Sequence, residues 1–237
     1  MPTAVVLQPS FLPWRGYFDL IRRSDVFVFY DDVQYDKHGW RNRNRIKTAQ
    51  GPRWLTVPVH AKGNTIDHTT INNVQIDWCR DWRRPLLEQI RHAYCRAPFY
   101  QQYSPLVAQM FSCKPHLLAD FTIDTTVSIA RLLGIEHTQF VRSSTLSAPG
   151  AKTDRLLEVL KQVGATHYIS GPSARAYIDE EKFVQAGIGL EYIRYEYEPY
   201  GQLHPPYDPQ VSIVDLLFMT GPRAPAFIRP AAQTVIA

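Results

Sequence analysis

Short apolar runs alternate with amphipathic stretches over much of this chain. Thr3–Leu7 and Val26–Tyr30 are continuous runs of the kind that form strands buried in a parallel sheet. Between them Tyr17, Phe18, Leu20 and Ile21 recur at helical spacing, predicting a short helix that ends near Ser24. Trp54–Val59 reads as a third strand, with Pro58 marking its end or an edge. Asp81–Tyr94 carries Leu86, Leu87, Ile90 and Tyr94 on one helical stripe. Leu117–Leu133 carries Leu118, Phe121, Thr125, Ile129 and Leu132, with Gly134 as its stop. A strand–helix rhythm returns with strand Thr138–Arg142 and helix Thr153–Val163, which Thr153 would cap and Gly164 would end. Strand Thr166–Ser170, helix Asp179–Ala186 and strand Leu190–Tyr195 follow. Pro199–Pro209 reads as a rigid loop and Val211–Phe218 as a final short helix. The rhythm predicts an α/β protein with a Rossmann-like, mostly parallel sheet covered on both faces. A helical insertion is expected at 77–134, within a single domain over 1–230 that is followed by a C-terminal tail, 231–237.

Composition narrows the function classes. With 237 residues, 45% hydrophobic and 20% charged, the chain is too apolar for intrinsic disorder. The 26 Lys+Arg against 22 Asp+Glu leave a net charge of +4, so any anion site must be a local cluster. No apolar run is long enough for a membrane span, and Met1–Gln8 lacks the basic region and cleavage site of a signal peptide. The 3 cysteines, Cys79, Cys95 and Cys113, form no CxxC pair. A cytoplasmic protein with reduced thiols is therefore expected. The 13 Tyr, 11 Phe, 5 Trp and 18 Pro point to shaped, rigid loops.

In a parallel sheet, ligands bind beyond the carboxyl ends of the strands. Four segments are expected there. Gln8–Tyr17 holds Gln8, Trp14, Gly16 and Tyr17, with Gly16 at a helix mouth where backbone N–H groups can face an anion. Asp31-Asp32-Val33-Gln34 offers adjacent carboxylates that could bind Mg²⁺, hold an amine or act as a base, or simply cap a turn. In Trp40–Lys47, an extended chain would put Arg41, Arg43, Arg45 and Lys47 on one face and Asn42 and Asn44 on the other. Such a row fits a diphosphate or a nucleic-acid backbone; a helical chain would scatter it. Ser170-Gly171-Pro172-Ser173-Ala174-Arg175-Ala176-Tyr177 resembles a phosphate nest as much as an ordinary turn. His38 and His60 are added as candidate bases because they flank these loops. No metal-ligand spacing, nucleophile elbow, P-loop or GxGxxG is present.

Gln8-Pro9-Ser10-Phe11-Leu12-Pro13-Trp14-Arg15-Gly16-Tyr17, Asp31-Asp32-Val33-Gln34-Tyr35 and Trp40–Lys47 resemble the WbqC-like family. So do Lys152-Thr153-Asp154-Arg155-Leu156, Tyr168–Pro172 and Ser212–Phe218, and the likeness spans nearly the whole chain. It implies a role beside bacterial O-antigen and other surface-polysaccharide genes. The activity it implies is transfer of glycine, or another small acyl group, to an amino sugar. The donor stays open among aminoacyl-tRNA, an acyl carrier protein, coenzyme A and a free amino acid with ATP; the acceptor would be a nucleotide-linked amino sugar or a similar amine. On that reading Asp31 or Asp32 holds the amine, Arg41, Arg43 and Arg45 grip phosphates, and Trp14 and Tyr17 stack on base or sugar. A remoter likeness joins Trp14-Arg15-Gly16-Tyr17 to the HxGH region of nucleotidyltransferases and pantothenate-synthetase-like ligases. Trp14 and Tyr17 stand there in place of the histidines, and Ser170–Arg175 in place of a second phosphate loop. It implies two alternatives: a ligase using ATP and Mg²⁺, or a non-catalytic protein that binds a nucleotide or tRNA.

Overall fold

The computed structural model describes residues 2–60 and 69–230, so the expected tail, 231–237, lies outside the described residues. The central sheet has five parallel strands in the order β5-β2-β1-β6-β7. These are β1 (Thr3–Leu7), β2 (Val26–Phe29), β5 (Gln139–Arg142), β6 (His167–Ser170) and β7 (Gly189–Tyr192). Each was legible as a strand within a few residues of its observed ends, the first two as apolar runs and the others from the strand–helix rhythm. Ala4 pairs with Val26 on one side and with Tyr168 on the other, which makes β1 the centre of the sheet.

Alternate residues of the strands serve two separate cores, as the two-residue strand period requires. Val5, Phe27 and Phe29 join a large core, while Ala4, Val6, Val26 and Val28 join a smaller one. Helices α5 (Lys152–Gln162) and α6 (Glu180–Ala186) close the smaller core with Leu156, Leu160 and Phe183. The larger one is covered by α1 (Arg15–Arg23), α2 (Arg83–Tyr94), α3 (Tyr100–Met110), α4 (Leu118–Leu132) and α7 (Ile213–Thr220). Both faces are thus covered, as expected for a parallel sheet. A short α8 (Ala224–Phe227) follows.

Three details differ from the sequence reading. Trp54–Val59 is not a strand of the central sheet: β4 (Gly51–Thr56) pairs antiparallel with β3 (Arg43–Thr48) in a separate hairpin. That hairpin precedes the helices expected at 77–134, so the segment joining β2 to β5 carries a hairpin as well as three helices. One of these, α3, escaped the reading because Pro105 lies inside it. Thr153 is not the cap of α5; Ala151 occupies that position, and the Thr153 hydroxyl accepts the Asp179 N–H at 3.1 Å.

Buried carboxylates tie the late loops to this frame. Asp215 on α7 accepts from Tyr94 Oη at 2.8 Å, Tyr200 Oη at 2.7 Å and Gln202 Nε2 at 3.0 Å. Asp19 on α1 accepts from Arg22 at 2.6 Å, Arg23 at 3.2 Å and Tyr197 Oη at 3.0 Å. The Tyr- and Pro-rich stretch after β7 therefore has no regular structure, yet it is anchored by charge-assisted bonds.

Candidate functional site

The chain runs outward from β1 through β2 to β5, then crosses back to place β6 on the other side of β1. That reversal leaves a crevice beyond the carboxyl ends of β1 and β6. A cavity of about 730 Å³ occupies it, within the range of small-molecule sites. Leu7 at the end of β1, Gln8, Ser10 and Trp14 in the loop after it and Tyr17 on α1 line it, with Tyr30 just past β2. Ser173 and Tyr177 follow β6, and Tyr195 follows β7. Trp40, Arg41 and Asn44 close it from the hairpin side, with Gln210 from the late loop.

The walls are aromatic. Trp14 meets Tyr195 edge-on at 4.8 Å and Tyr197 at 6.1 Å. Burial pushes the hydroxyls of Tyr17 and Tyr30 above the usual phenol value, and that of Tyr195 to about 12. The phenols are therefore neutral at neutral pH and act as hydrogen-bonding walls rather than bases. Among the described lining residues the one charged side chain is Arg41. Its Nη1 donates to Gln8 O at 3.1 Å and Pro9 O at 3.2 Å, while its buried Nε has no protein partner. Burial lowers the guanidinium pKa, opposed by Tyr17, Asp36 and Tyr35, and an arginine keeps its charge regardless.

The loop after β1 is held in a conformation that sequence could not show. Leu12 is fully buried at φ +42°, a region that costs a non-glycine residue of order 1–3 kcal/mol. Asn44 Nδ2 donates to Phe11 O at 3.0 Å and Leu12 O at 2.7 Å, and Ser212 Oγ donates to Leu12 O at 2.8 Å. These bonds offset the strain and fix the loop against the hairpin.

Of the residues expected from sequence, Gln8, Trp14, Tyr17, Trp40, Arg41, Asn44 and Ser173 meet in the cavity. The others stand elsewhere, for reasons that can be named. Gly16 lies under the Trp14 indole, so its N–H is no open anion cradle: a Cβ there would come within 2.4 Å of the ring. Gly16→Ala is expected to displace the indole and cost about 1–3 kcal/mol, the scale of overpacking. A shifted denaturation midpoint and altered near-UV circular dichroism would register it; wild-type values in both would contradict this packing.

The expected cation row is extended only from Arg43 onward. Arg43 donates to His38 O at 2.5 Å and lies over Trp54 at 4.5 Å. Arg45 reaches Gln210 at 3.3 Å and Asp208 at 3.8 Å. Lys47 is buried, with Nζ on Pro206 O at 2.5 Å. Asn42 is also buried and donates to Val57 O at 2.9 Å. None of these four lines the cavity.

The four expected catalytic residues are likewise outside the lining. Asp31 is fully buried and accepts from Ser143 Oγ at 3.2 Å, Ser144 N at 3.0 Å and Ser144 Oγ at 2.9 Å. These bonds clamp the ends of β2 and β5 together. Asp32 accepts from Ser143 Oγ at 2.5 Å and pairs with Arg155, whose guanidinium lies over the Tyr30 ring at 5.1 Å. Asp32 thus touches the cavity wall indirectly. His38, His60 and Gln34 are exposed on loops. Ser170 is buried and donates to Tyr168 Oη at 3.3 Å, Gly171 is half-buried, and Arg175 lies over Tyr192 at 4.7 Å. Among the described residues no cluster of three or more His, Cys, Asp or Glu could hold a metal.

Tyr30, Tyr195 and Gln210 were missed as lining residues, and Tyr177 stood in the expected loop after β6 without a role. The tyrosines carried a readable signal, being aromatic residues at or soon after strand ends. Gln210 carried none, because its place depends on the path of the late loop.

The fold and crevice define an α/β protein of Rossmann-like architecture with a ligand-sized cavity at its topological switch point. The chain belongs to the WbqC-like protein family, whose model matches residues 8–227. It is 39% identical over 235 residues to the uncharacterized protein Rv1507c of Mycobacterium tuberculosis, covering 98% of this chain and 100% of that protein. No solved structure matches. Among the described residues no helix is long and apolar enough to cross a membrane.

Proposed function

We propose that the crevice binds a nucleotide-linked amino sugar, or a similar amine, and passes a small glycine-like acyl or aminoacyl group to its nitrogen. The observation that carries this reading is Arg41: a half-buried guanidinium that is the one charged side chain among the described residues lining a ring-walled cavity. A guanidinium edge of that kind recognises a phosphate or carboxylate oxygen, and the rings suit a base or a sugar face.

The cavity also favours the chemistry. A buried amine near a fixed cation loses its proton more readily than in water, because desolvation and like charge both disfavour the ammonium. The free amine attacks the acyl carbon, a C–N bond forms, and the donor's oxygen or sulfur leaves with the electron pair. The nitrogen then sheds one proton. Our candidate to receive that proton is Asp32, which lies outside the lining and meets the wall only through Arg155 and Tyr30.

The test is equilibrium binding to a panel of nucleotide-linked amino sugars, followed by incubation with activated glycine donors and mass analysis of the sugar. Binding with a gain of one aminoacyl unit is expected. Release of pyrophosphate or AMP from ATP would replace this reading with the Mg²⁺-dependent ligase. Binding without turnover across all donors would favour a non-catalytic nucleotide-binding protein, which the absence of a free carboxylate or imidazole from the described lining also favours.

A further inference from the structure

The outer face of the β3–β4 hairpin carries a feature the cavity does not use. Trp40 and Trp54 are 39% and 41% exposed, large values for tryptophan, and their rings lie 5.1 Å apart at 41°. Arg45 and Trp54 are directly paired across the hairpin, and Arg43 stands on the same face two residues away. Arg43 lies 4.5 Å from the Trp54 ring centre; Arg45 lies 5.7 Å from that of Trp40. Two guanidinium groups thus stand against the rings, and Asp208 is 3.8 Å from Arg45. Trp40 also lines the cavity, so this platform begins at the cavity's mouth.

We infer that the platform holds the unpaired 3′ end of an RNA, so that the activated donor is an aminoacyl-tRNA whose last ribose enters the cavity. This rests on the transferase reading above. Exposed indoles beside guanidinium groups are what a single strand needs: rings for successive bases and cations for the phosphates between them. A cavity of about 730 Å³ is of small-molecule size, so most of a strand must lie outside it, where the platform is. A carrier protein's flexible arm has no ring to place on two indoles, and a globular partner would need a larger complementary face.

The probe is a fluorescein-labelled single-stranded RNA hexamer ending in CCA, measured by anisotropy, with a blunt duplex of the same sequence as control. Wild-type protein should prefer the single strand. Trp54→Ala should weaken that binding by about tenfold or more, and Trp54→Tyr should restore much of it. Nucleotide-sugar binding should be unchanged in both, since Trp54 is outside the cavity lining. Should Trp54→Ala not fold, quenching of wild-type tryptophan fluorescence by the hexamer, reduced in Trp54→Tyr, is the second measurement. Wild-type protein that binds nucleotide-sugar but not the hexamer overturns this inference and leaves the transferase reading standing. Hexamer binding without any nucleotide-sugar binding supports the platform and overturns that reading instead. Wild-type affinity in Trp54→Ala, or capture of an acidic carrier protein lost in an Arg43→Gln, Arg45→Gln double variant, also overturns it.

Discussion

Arg41→Ala is expected to weaken binding of an anionic nucleotide-sugar by roughly 2–5 kcal/mol, the range for truncating a buried charged partner. The loss should be larger than for Arg43→Ala or Arg45→Ala, whose guanidinium groups engage other protein groups outside the cavity. Arg41→Ala should also reduce folding stability by about 1–3 kcal/mol, because the carbonyls of Gln8 and Pro9 lose a buried donor. Arg41→Lys separates the two effects: it keeps a charge but cannot present a planar fork, so affinity should recover only in part. The measurement is titration calorimetry beside urea denaturation. Full affinity retained by Arg41→Ala, with stability lost, would assign the residue to loop anchoring and withdraw it from ligand recognition.

Asp31→Ala should be among the most destabilising single changes in the protein, at about 3–5 kcal/mol. The substitution leaves Ser144 N and Ser144 Oγ without their acceptor in a part-buried site, while the Ser143 hydroxyl keeps only Asp32 as an acceptor. It also removes the carboxylate that joins the ends of two adjacent sheet strands. Asp32→Asn weakens only a partly exposed pair with Arg155 and should cost about 1 kcal/mol or less. The two neighbours therefore differ, but in stability first. Urea midpoints of both variants decide the matter. A folded Asp31→Ala protein with wild-type stability and strongly reduced turnover would reverse the assignment and return Asp31 to chemistry.

The sheet was readable from local residues because central strands buried on both faces leave continuous apolar runs, as at Thr3–Leu7 and Val26–Tyr30, while the less buried edge strands followed from the strand–helix rhythm. The crevice was readable too, since a parallel sheet places its ligand loops at one edge. Trp14, Tyr17, Arg41 and Ser173 were all named from that rule and all line the cavity. Tyr195 was placed inside a strand, three residues beyond where β7 ends, and its part in the wall went unread.

The arginine row shows where local reading stops. Alternation of side chains is a property of the extended backbone, so the shared face of Arg43, Arg45 and Lys47 follows from sequence alone. What covers that face does not. Pro206 lies 159 positions from Lys47, and Gln210 lies 165 from Arg45; their arrival buries one cation and engages the other. Arg41 stands before the strand begins and leans on Gln8 and Pro9 instead. The same holds for the paired aspartates. Their adjacency suggested chemistry, but Ser143 and Ser144, more than a hundred residues away, turned Asp31 into a clamp. Sequence by itself determined which residues alternate, which runs are buried and which loops share an edge, because these depend on backbone period and apolar content. Tertiary structure alone decided which polar groups stay free for a ligand, because that depends on partners brought together only when the chain closes on itself.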